Sequence, residues 1–443
     1  MWRFRACGQR VRLLGAGAIV WIAICAMAPH AWGQDTPVGG AKAEPPAPAT
    51  GAPSALPSAG VAIGSYPLEL LGLLAPAAQR GPFTLLPSIA VSEEYNDNLL
   101  LDNLNRQSDF ITGFSPALML FVNRPSYRLT AGYSSTAELY QRESRFDNAL
   151  SRQNFILNGS YEGTRGLTFA VSDAFARDRS TNVVATQGFA SGRQEAWSNS
   201  FSPGVSWQMT PATVLNVVVT HAVERFEGTG VGFGSDTYGL QNTLGHVLTP
   251  RLTGTVGYGF TYLNLLGQQQ NSTTHTPTFG ASYRLTPTLT ASVNGGPAVT
   301  QIGGETFVSA AATAGLVQVL RYGSASAQYS RSVGVAGGLG GTTETQTFSG
   351  ALALLTWQRG LIVTFNPSYS TAKSVSRGQT GPVDANALTL NLGASYQIAR
   401  YASIFGGYRF FQQRTQGSTT TQFDSDQNLV RFGVQFGYPF NFD

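Results

Sequence analysis

The end of the chain alternates strictly between two kinds of residue. Val430, Phe432, Val434, Phe436, Tyr438, Phe440 and Phe442 fall on one parity, and Arg431, Gly433, Gln435, Gly437 and Asn441 on the other. Successive residues of a strand point to opposite faces, so this stretch predicts a strand with one apolar, aromatic face and one polar face. The period recurs at Leu388, Leu390, Leu392, Ala394, Tyr396 and Ile398 against Thr389, Asn391, Gly393, Ser395 and Gln397. It recurs again in Tyr127–Ser134 and in Leu252–Tyr262. A helical chain would need a period near 3.6, so the region from Phe83 onward reads as all-β.

The polar parity decides what kind of β protein this is. It is built from Ser, Thr, Gly, Asn and Gln with scattered Arg and Glu, while Tyr and Phe crowd the apolar parity. A soluble sandwich exposes Lys and Glu for solvation. Here only 12% of residues are charged, where about 25% is usual, and beyond the first 33 residues there are two lysines, Lys42 and Lys373. An apolar face toward lipid and a small polar face toward a watery interior describe a transmembrane β-barrel instead. In hydrocarbon every unpaired backbone amide is costly, so such a sheet must close on itself.

Turn spacing gives the strand number. Short connections fall at Arg124–Ser126, Gly163–Gly166, Thr210–Ala212, Thr249–Arg251, Thr286–Thr288, Arg321–Gly323, Gln358–Gly360 and Ala399–Arg400. Between successive short turns the pattern predicts a longer polar loop, for example around 181–192, 227–235 and 415–426. Eight short turns separate nine hairpins, giving an antiparallel up-and-down barrel of 18 strands, with 16 still open. Residues 83–443 number 443 − 82 = 361, which leaves about 20 per strand with its connections, enough for the roughly 9–11 that cross a bilayer. An even number puts both ends of the barrel on the short-turn side. Pro87, Pro116, Pro203, Pro277, Pro297 and Pro367 fall inside these segments and are expected to mark strand starts or bulges. In 167–178, Asp173 and Arg177 share the parity of Phe169 and Phe175, which marks either a strand extension beyond the membrane or a register shifted by one.

Residues 1–33 have the form of an export signal: Arg3, Arg5, Arg10 and Arg12, an apolar run from Leu13 to Met27, then Ala31 and Gly33 before Gln34. Both cysteines, Cys7 and Cys25, lie within it, so the remainder can form neither a disulfide framework nor a Cys-based metal site. Removing four arginines leaves 28 − 4 = 24 basic against 24 acidic residues. The basic pI therefore belongs to the leader, and nucleic acid is not an expected partner. Residues 34–82, rich in Ala, Pro and Gly, read as a periplasmic spacer with one apolar piece at Leu68–Ala78.

The polar residues allow three kinds of chemistry. Arg128, Glu138, Glu162, Arg284, Arg409, Gln413, Arg431 and Gln435 fall on the polar parity and are expected to line the interior, where mixed charges would filter solutes. The alternative is that they fill a closed barrel. The acids Glu93, Glu94, Asp97 and Asp102 could hold a hard cation, but a solvated, hydrogen-bonded loop base is the stronger reading, and no metal or cofactor is expected. A hydrolase would need a base and nucleophile on one strand face. His221 is followed two residues on by Val223, His246 by Leu248 and His275 by Pro277, so no such local pair exists and an enzyme is not expected.

The opening strand, Leu86 to Leu99, contains Pro87 and the stretch Glu94-Tyr95-Asn96-Asp97-Asn98. With the steps Phe114-Ser115-Pro116, Phe201-Ser202-Pro203 and Phe365-Asn366-Pro367, it resembles a family of outer-membrane β-barrel porins associated with exopolysaccharide and exosortase (PEP-CTERM) systems. That resemblance implies a Gram-negative outer-membrane barrel, motif residues Glu94, Tyr95, Asp97 and Asn98, and no catalytic residues. It also implies lipid and lipopolysaccharide as surroundings, with polysaccharide-export proteins as further partners. The aromatic last strand looks like the signal read by the barrel-assembly machinery. Two functions follow: a porin-like channel for passive diffusion of small polar solutes, or a structural or export component of an exopolysaccharide secretion system.

Overall fold

The computed structural model describes residues 81–178, 189–190, 193, 195–227, 233–267, 271–335, 341–375, 384–415 and 424–442. The expected leader and nearly all of the expected spacer lie outside them. The described residues form one closed antiparallel sheet. Its strands are β1 (Phe83–Asn96), β2 (Asp109–Asn123), β3 (Tyr127–Tyr140), β4 (Asn148–Glu162), β5 (Leu167–Asp178), β6 (Glu195–Thr210) and β7 (Thr213–Glu227). There follow β8 (Ser235–Thr249), β9 (Leu252–Leu265), β10 (Ser272–Arg284), β11 (Leu289–Ile302), β12 (Glu305–Leu320) and β13 (Gly323–Val335). The circuit ends with β14 (Thr342–Gln358), β15 (Leu361–Ser374), β16 (Asp384–Ala399), β17 (Ala402–Thr415), β18 (Ser425–Gly437) and β19 (Phe440–Phe442).

β18 and β19 are one stave broken at Tyr438-Pro439. β18 pairs with β1 up to Gly437↔Ser88, and β19 resumes in the same register at Phe440↔Leu85. The barrel therefore has 18 staves, and the pairing of β1 with β18 closes it. All eight short turns stand where the sequence places them. The opposite end departs from expectation once: β11 and β12 are joined by Gly303-Gly304 alone, with φ of +56° and +89°. Two consecutive left-handed residues make the tight hairpin turn that matches strand twist, and glycine adopts it without strain.

None of the six prolines begins a strand, and none makes a bulge. Each keeps its pairing on one side, as in Pro116↔Ile89, Pro203↔Val171, Pro297↔Ala310 and Pro367↔Leu390. On the other side the ladder skips the proline and resumes in unchanged register, for example from Phe201↔His221 to Gly204↔Val218. In an antiparallel ladder a residue's N–H reaches only one neighbour, so a proline costs one side of the pairing alone. Pro277 and Pro297 face each other across the same gap between β10 and β11. There the backbones approach so closely that a Cβ on Gly296 would lie 1.9 Å from the Pro277 oxygen, which only glycine avoids.

Burial follows parity. On β2, Asp109, Ile111, Gly113, Ser115, Ala117, Met119 and Phe121 are buried, while Phe110, Phe114 and Leu118 are exposed. Propagating this face through the pairings places most of the exposed Val, Leu, Phe and Tyr on one continuous outer surface, with exceptions such as Val247, Val317 and Val319 on the inner parity beside the short turns. Its middle mixes aliphatic residues such as Val91, Leu118 and Val293 with Phe114, Phe201 and Phe279. Aromatic pairs stand at both ends, Tyr95–Phe110 and Phe175–Trp197 toward the long loops, and Tyr161–Phe169 and Tyr438–Phe440 toward the short turns. An apolar belt between aromatic girdles is the surface a bilayer requires. Asp173 and Arg177 do face outward with Phe169 and Phe175, so the register is as read; Asp173 accepts from Asn199 Nδ2 at 2.7 Å, and Arg177 pairs with Glu195.

Candidate functional site

The inner face is chemically uneven around its circumference. From β6 to β16 its strand positions carry only three charged residues, Glu224, Arg284 and Glu305, all near strand ends. Much of the rest of that arc is small and polar, with Ser198, Ser200 and Ser202 on β6, Ser324, Ser326 and Ser330 on β13, and the paired hydroxyls of Thr274 and Thr300 at 3.0 Å. Phe226, Leu263, Leu265, Ile302 and Phe307 add apolar positions toward the long-loop end. The remaining seven staves, β17, β18 and β1–β5, present nine: Arg409, Arg431, Glu94, Asp109, Arg128, Glu138, Arg152, Glu162 and Asp178.

Arg152 of β4 is the centre of that charged arc. Its Nε lies 2.7 Å from Glu138 Oε1 and 3.8 Å from Asp178 Oδ2, and its Nη2 lies 3.3 Å from Glu94 Oε1. Glu94 also accepts from Arg431 Nε at 2.7 Å. Glu138 takes a further bond from the Tyr140 hydroxyl at 2.8 Å. The four residues Glu94, Glu138, Arg152 and Asp178 are 2–6% exposed. Between β1 and β3, β2 offers Gly113, which faces Ser92 on one side and Glu138 on the other, and the recess above it is lined by Glu94, Glu138 and Arg431. A Cβ at Gly113 would lie 2.9 Å from Ser92 Oγ, so the recess is kept by the absence of a side chain there. Three carboxylates surround the Arg152 guanidinium, and one of them, Glu94, also holds Arg431. In so dry a setting, loss of one partner strands the others.

Two connections fold onto the inner face near this cluster. Leu99 packs with Ile111, Tyr140 and Phe146 of the 3-10 turn Ser144–Phe146. Leu101 joins Phe189 and Ala190, from the β5–β6 connection, against Ala372, Ala385, Ala387 and Phe411 of β15–β17. Gln413 fixes this contact twice, donating Nε2 to the Ala190 oxygen and accepting the Ala190 N–H, both at 2.8 Å. On the other side Arg193 lies 3.8 Å over the Phe146 ring and donates to the Tyr140 hydroxyl at 3.2 Å. One connection is thus fastened both to β17 and to the β3 side.

The residues singled out from sequence divide accordingly. Arg431 and Glu138 meet in one cluster through Glu94 and Arg152. Arg128 and Glu162, both exposed, pair at 3.8 Å beside the short turns. Arg284 is exposed and stands apart on β10. The Arg409 guanidinium lies 5.5 Å over the Phe411 ring. Gln435 is buried and reaches Ser88 Oγ at 3.5 Å. Arg152, Asp178 and Tyr140 were missed, although each falls on the inward parity of its strand.

The motif Glu94-Tyr95-Asn96-Asp97-Asn98 folds the first loop. Tyr95 turns outward onto Phe110, with ring centroids 5.0 Å apart. Asp97 accepts from the Asn428 N–H at 2.7 Å and from its Nδ2 at 2.8 Å. Asn98 is fully buried, donating Nδ2 to the Asp426 oxygen at 2.9 Å and accepting from the Asp102 N–H at 3.0 Å. The four acids weighed as a cation site go four ways: Glu93 accepts from Thr112, Glu94 joins the arginines, Asp97 holds Asn428, and Asp102 accepts the Leu104 N–H at 2.8 Å. That last bond holds the Asp102 carboxyl below its ordinary pKa. Among the described residues no group of three or more His, Cys, Asp and Glu is arranged to hold a metal ion.

No family model matches the chain, and no curated protein matches it in sequence. Among solved structures, it is similar to OpdQ of Pseudomonas aeruginosa, at 11% identity and a TM-score of 0.42, covering 81% of this chain and 99% of that one. OccAB4 of Acinetobacter baumannii is similar at 11% identity and a TM-score of 0.39, over 82% and 100%. The siderophore receptor PirA of P. aeruginosa is similar at 10% identity and a TM-score of 0.40, over 81% of each chain.

Proposed function

We propose that this chain is an outer-membrane β-barrel of a Gram-negative bacterium that acts as a porin-like channel, letting small polar solutes diffuse across. The observation that carries the reading is the division of its two surfaces. The outer face is a closed apolar belt, and the inner face over eleven staves, β6–β16, is mostly small and hydroxyl-rich and almost uncharged. Eighteen strands normally enclose an aqueous channel, and a wall of Ser, Thr and Gly hydrates one without holding a solute tightly. The charged arc gives that path one sided chemistry. Phe189 and Ala190, held to β17 by Gln413, narrow it at the long-loop end.

The test is swelling of liposomes carrying the refolded chain, in sugars of increasing size. Swelling rates that fall smoothly with solute size support passive diffusion. Vesicles that fail to swell, although they contain a folded, heat-modifiable barrel, sink the channel.

A further inference from the structure

The two rims of the barrel differ in charge. Six of the eight short connections carry one arginine each: Arg124, Arg165, Arg251, Arg321, Arg359 and Arg400. None of the eight carries Asp, Glu or Lys. All six are exposed except Arg124, which is half-buried, and among the described residues no carboxylate lies within ion-pair distance of any of them. The long connections are mixed instead. There Asp97 meets Arg106 at 3.8 Å and Glu143 meets Arg145 at 3.0 Å. Just below them, pairs such as Arg225–Asp236 and Arg331–Glu344 join neighbouring strands.

We propose that the short-turn rim is a binding collar for the phosphate groups of anionic phospholipids in the leaflet it faces. Six unpaired guanidiniums of one sign make a ring of positive potential. Half of them are tied to the aromatic girdle: Arg124 lies 4.9 Å over Phe83, Arg321 5.1 Å over Tyr322, and Arg400 5.0 Å over Tyr401, whose ring centroid lies 4.8 Å from that of Tyr438. Phe83 and Tyr438 belong to the outer face, so these cations sit where the apolar belt ends and headgroups begin. Guanidinium forks bind phosphate through two donors, and each basic residue near an anionic leaflet adds to the attraction. A soluble anion inside the barrel would call for arginines on the inner face of this rim. There Arg284 stands alone and Arg128 is engaged by Glu162.

This inference rests on the barrel spanning a bilayer and is independent of whether it conducts. The experiment reconstitutes the full barrel in phosphatidylcholine vesicles and measures, with spin-labelled lipids, the preference of its lipid shell for phosphatidylglycerol over phosphatidylcholine. The wild type is expected to favour phosphatidylglycerol by roughly three- to fivefold at low salt. The combined variant Arg165→Gln, Arg251→Gln, Arg321→Gln, Arg359→Gln and Arg400→Gln is expected to fall to near parity, and the matching Arg→Lys variant to keep most of the preference. These side chains are exposed in turns, so heat-modifiable folding should survive in both variants. Equal shells in the wild type, or a preference untouched by the Gln variant, overturn the collar. So does loss of the preference on adding millimolar glycerol phosphate, which would mark a site for soluble phosphate. Failure to insert into any vesicle overturns the membrane reading beneath it.

Discussion

The two arcs of the inner wall use the same strand geometry for opposite ends. From β6 to β16 the inward positions are mostly small, and neighbouring side chains satisfy one another across one strand pair, as Thr274 does with Thr300. From β17 to β5 the inward positions include nine charged side chains, most paired between neighbouring strands, and one pair reaches further, from Arg152 on β4 to Glu94 on β1. The first arc resembles a lined tube. The second is a miniature core built inside one, closed over by Leu99, Leu101, Phe189 and Ala190. A barrel wall can therefore be hydrated on one side and packed on the other, provided the packed side meets its charges in full.

The sharpest way to break this contrast is Arg152→Ala, which strands Glu138, Glu94 and Asp178 in a dry site. It should cost about 3–5 kcal/mol in urea unfolding of the vesicle-bound barrel. A loss under about 1 kcal/mol would mean that water reaches the cluster freely. Next comes Gln413→Ala, which removes both bonds to Ala190 and leaves its backbone groups unpaired. It should cost about 1–3 kcal/mol and speed protease cleavage between β5 and β6, an effect absent if other contacts hold that connection. On the opposite arc, Ser200→Ala should stay within about 0.5 kcal/mol of wild type in the same assay, and a larger change would erase the distinction.

The smallest effect concerns the loop over the charged arc. The Asp102 carboxyl is lowered by the Leu104 N–H, so its contribution is present above the usual aspartate range and is lost as pH falls through the lowered value. The Leu104 amide resonance should titrate below the ordinary aspartate range, and titration within or above that range would mean that this bond does not hold the carboxyl.

Much of the fold was legible because period-two alternation and turn chemistry are local. The eight short turns and the inward parity of Glu94, Arg431 and Gln413 came directly from residue order. Gly303-Gly304 was passed over because a long loop was expected at every outer position. The prolines were misjudged because sequence shows a lost donor but not which neighbour that donor would have faced. The site was legible only in part, for the same kind of reason. Parity marks Arg152 as inward, yet nothing local says that Glu94, 58 residues away, comes to lie 3.3 Å from it. Nor does local pattern reveal that Phe189 returns to the wall at Gln413, 223 residues from Ala190.

A conducting barrel requires its inner face to be an ion path. Arg284 allows the cleanest probe, being exposed, on the inward parity of β10 and outside the buried cluster, whereas reversing Arg431 would set a second carboxylate against Glu94. The measurement is planar-bilayer conductance under a potassium chloride gradient, with wild type and Arg284→Glu side by side. Stable open steps, with a reversal potential that moves toward cation preference in the variant, are the predicted result. Silence from a folded barrel, or open steps whose reversal potential is identical in the two proteins, would contradict it.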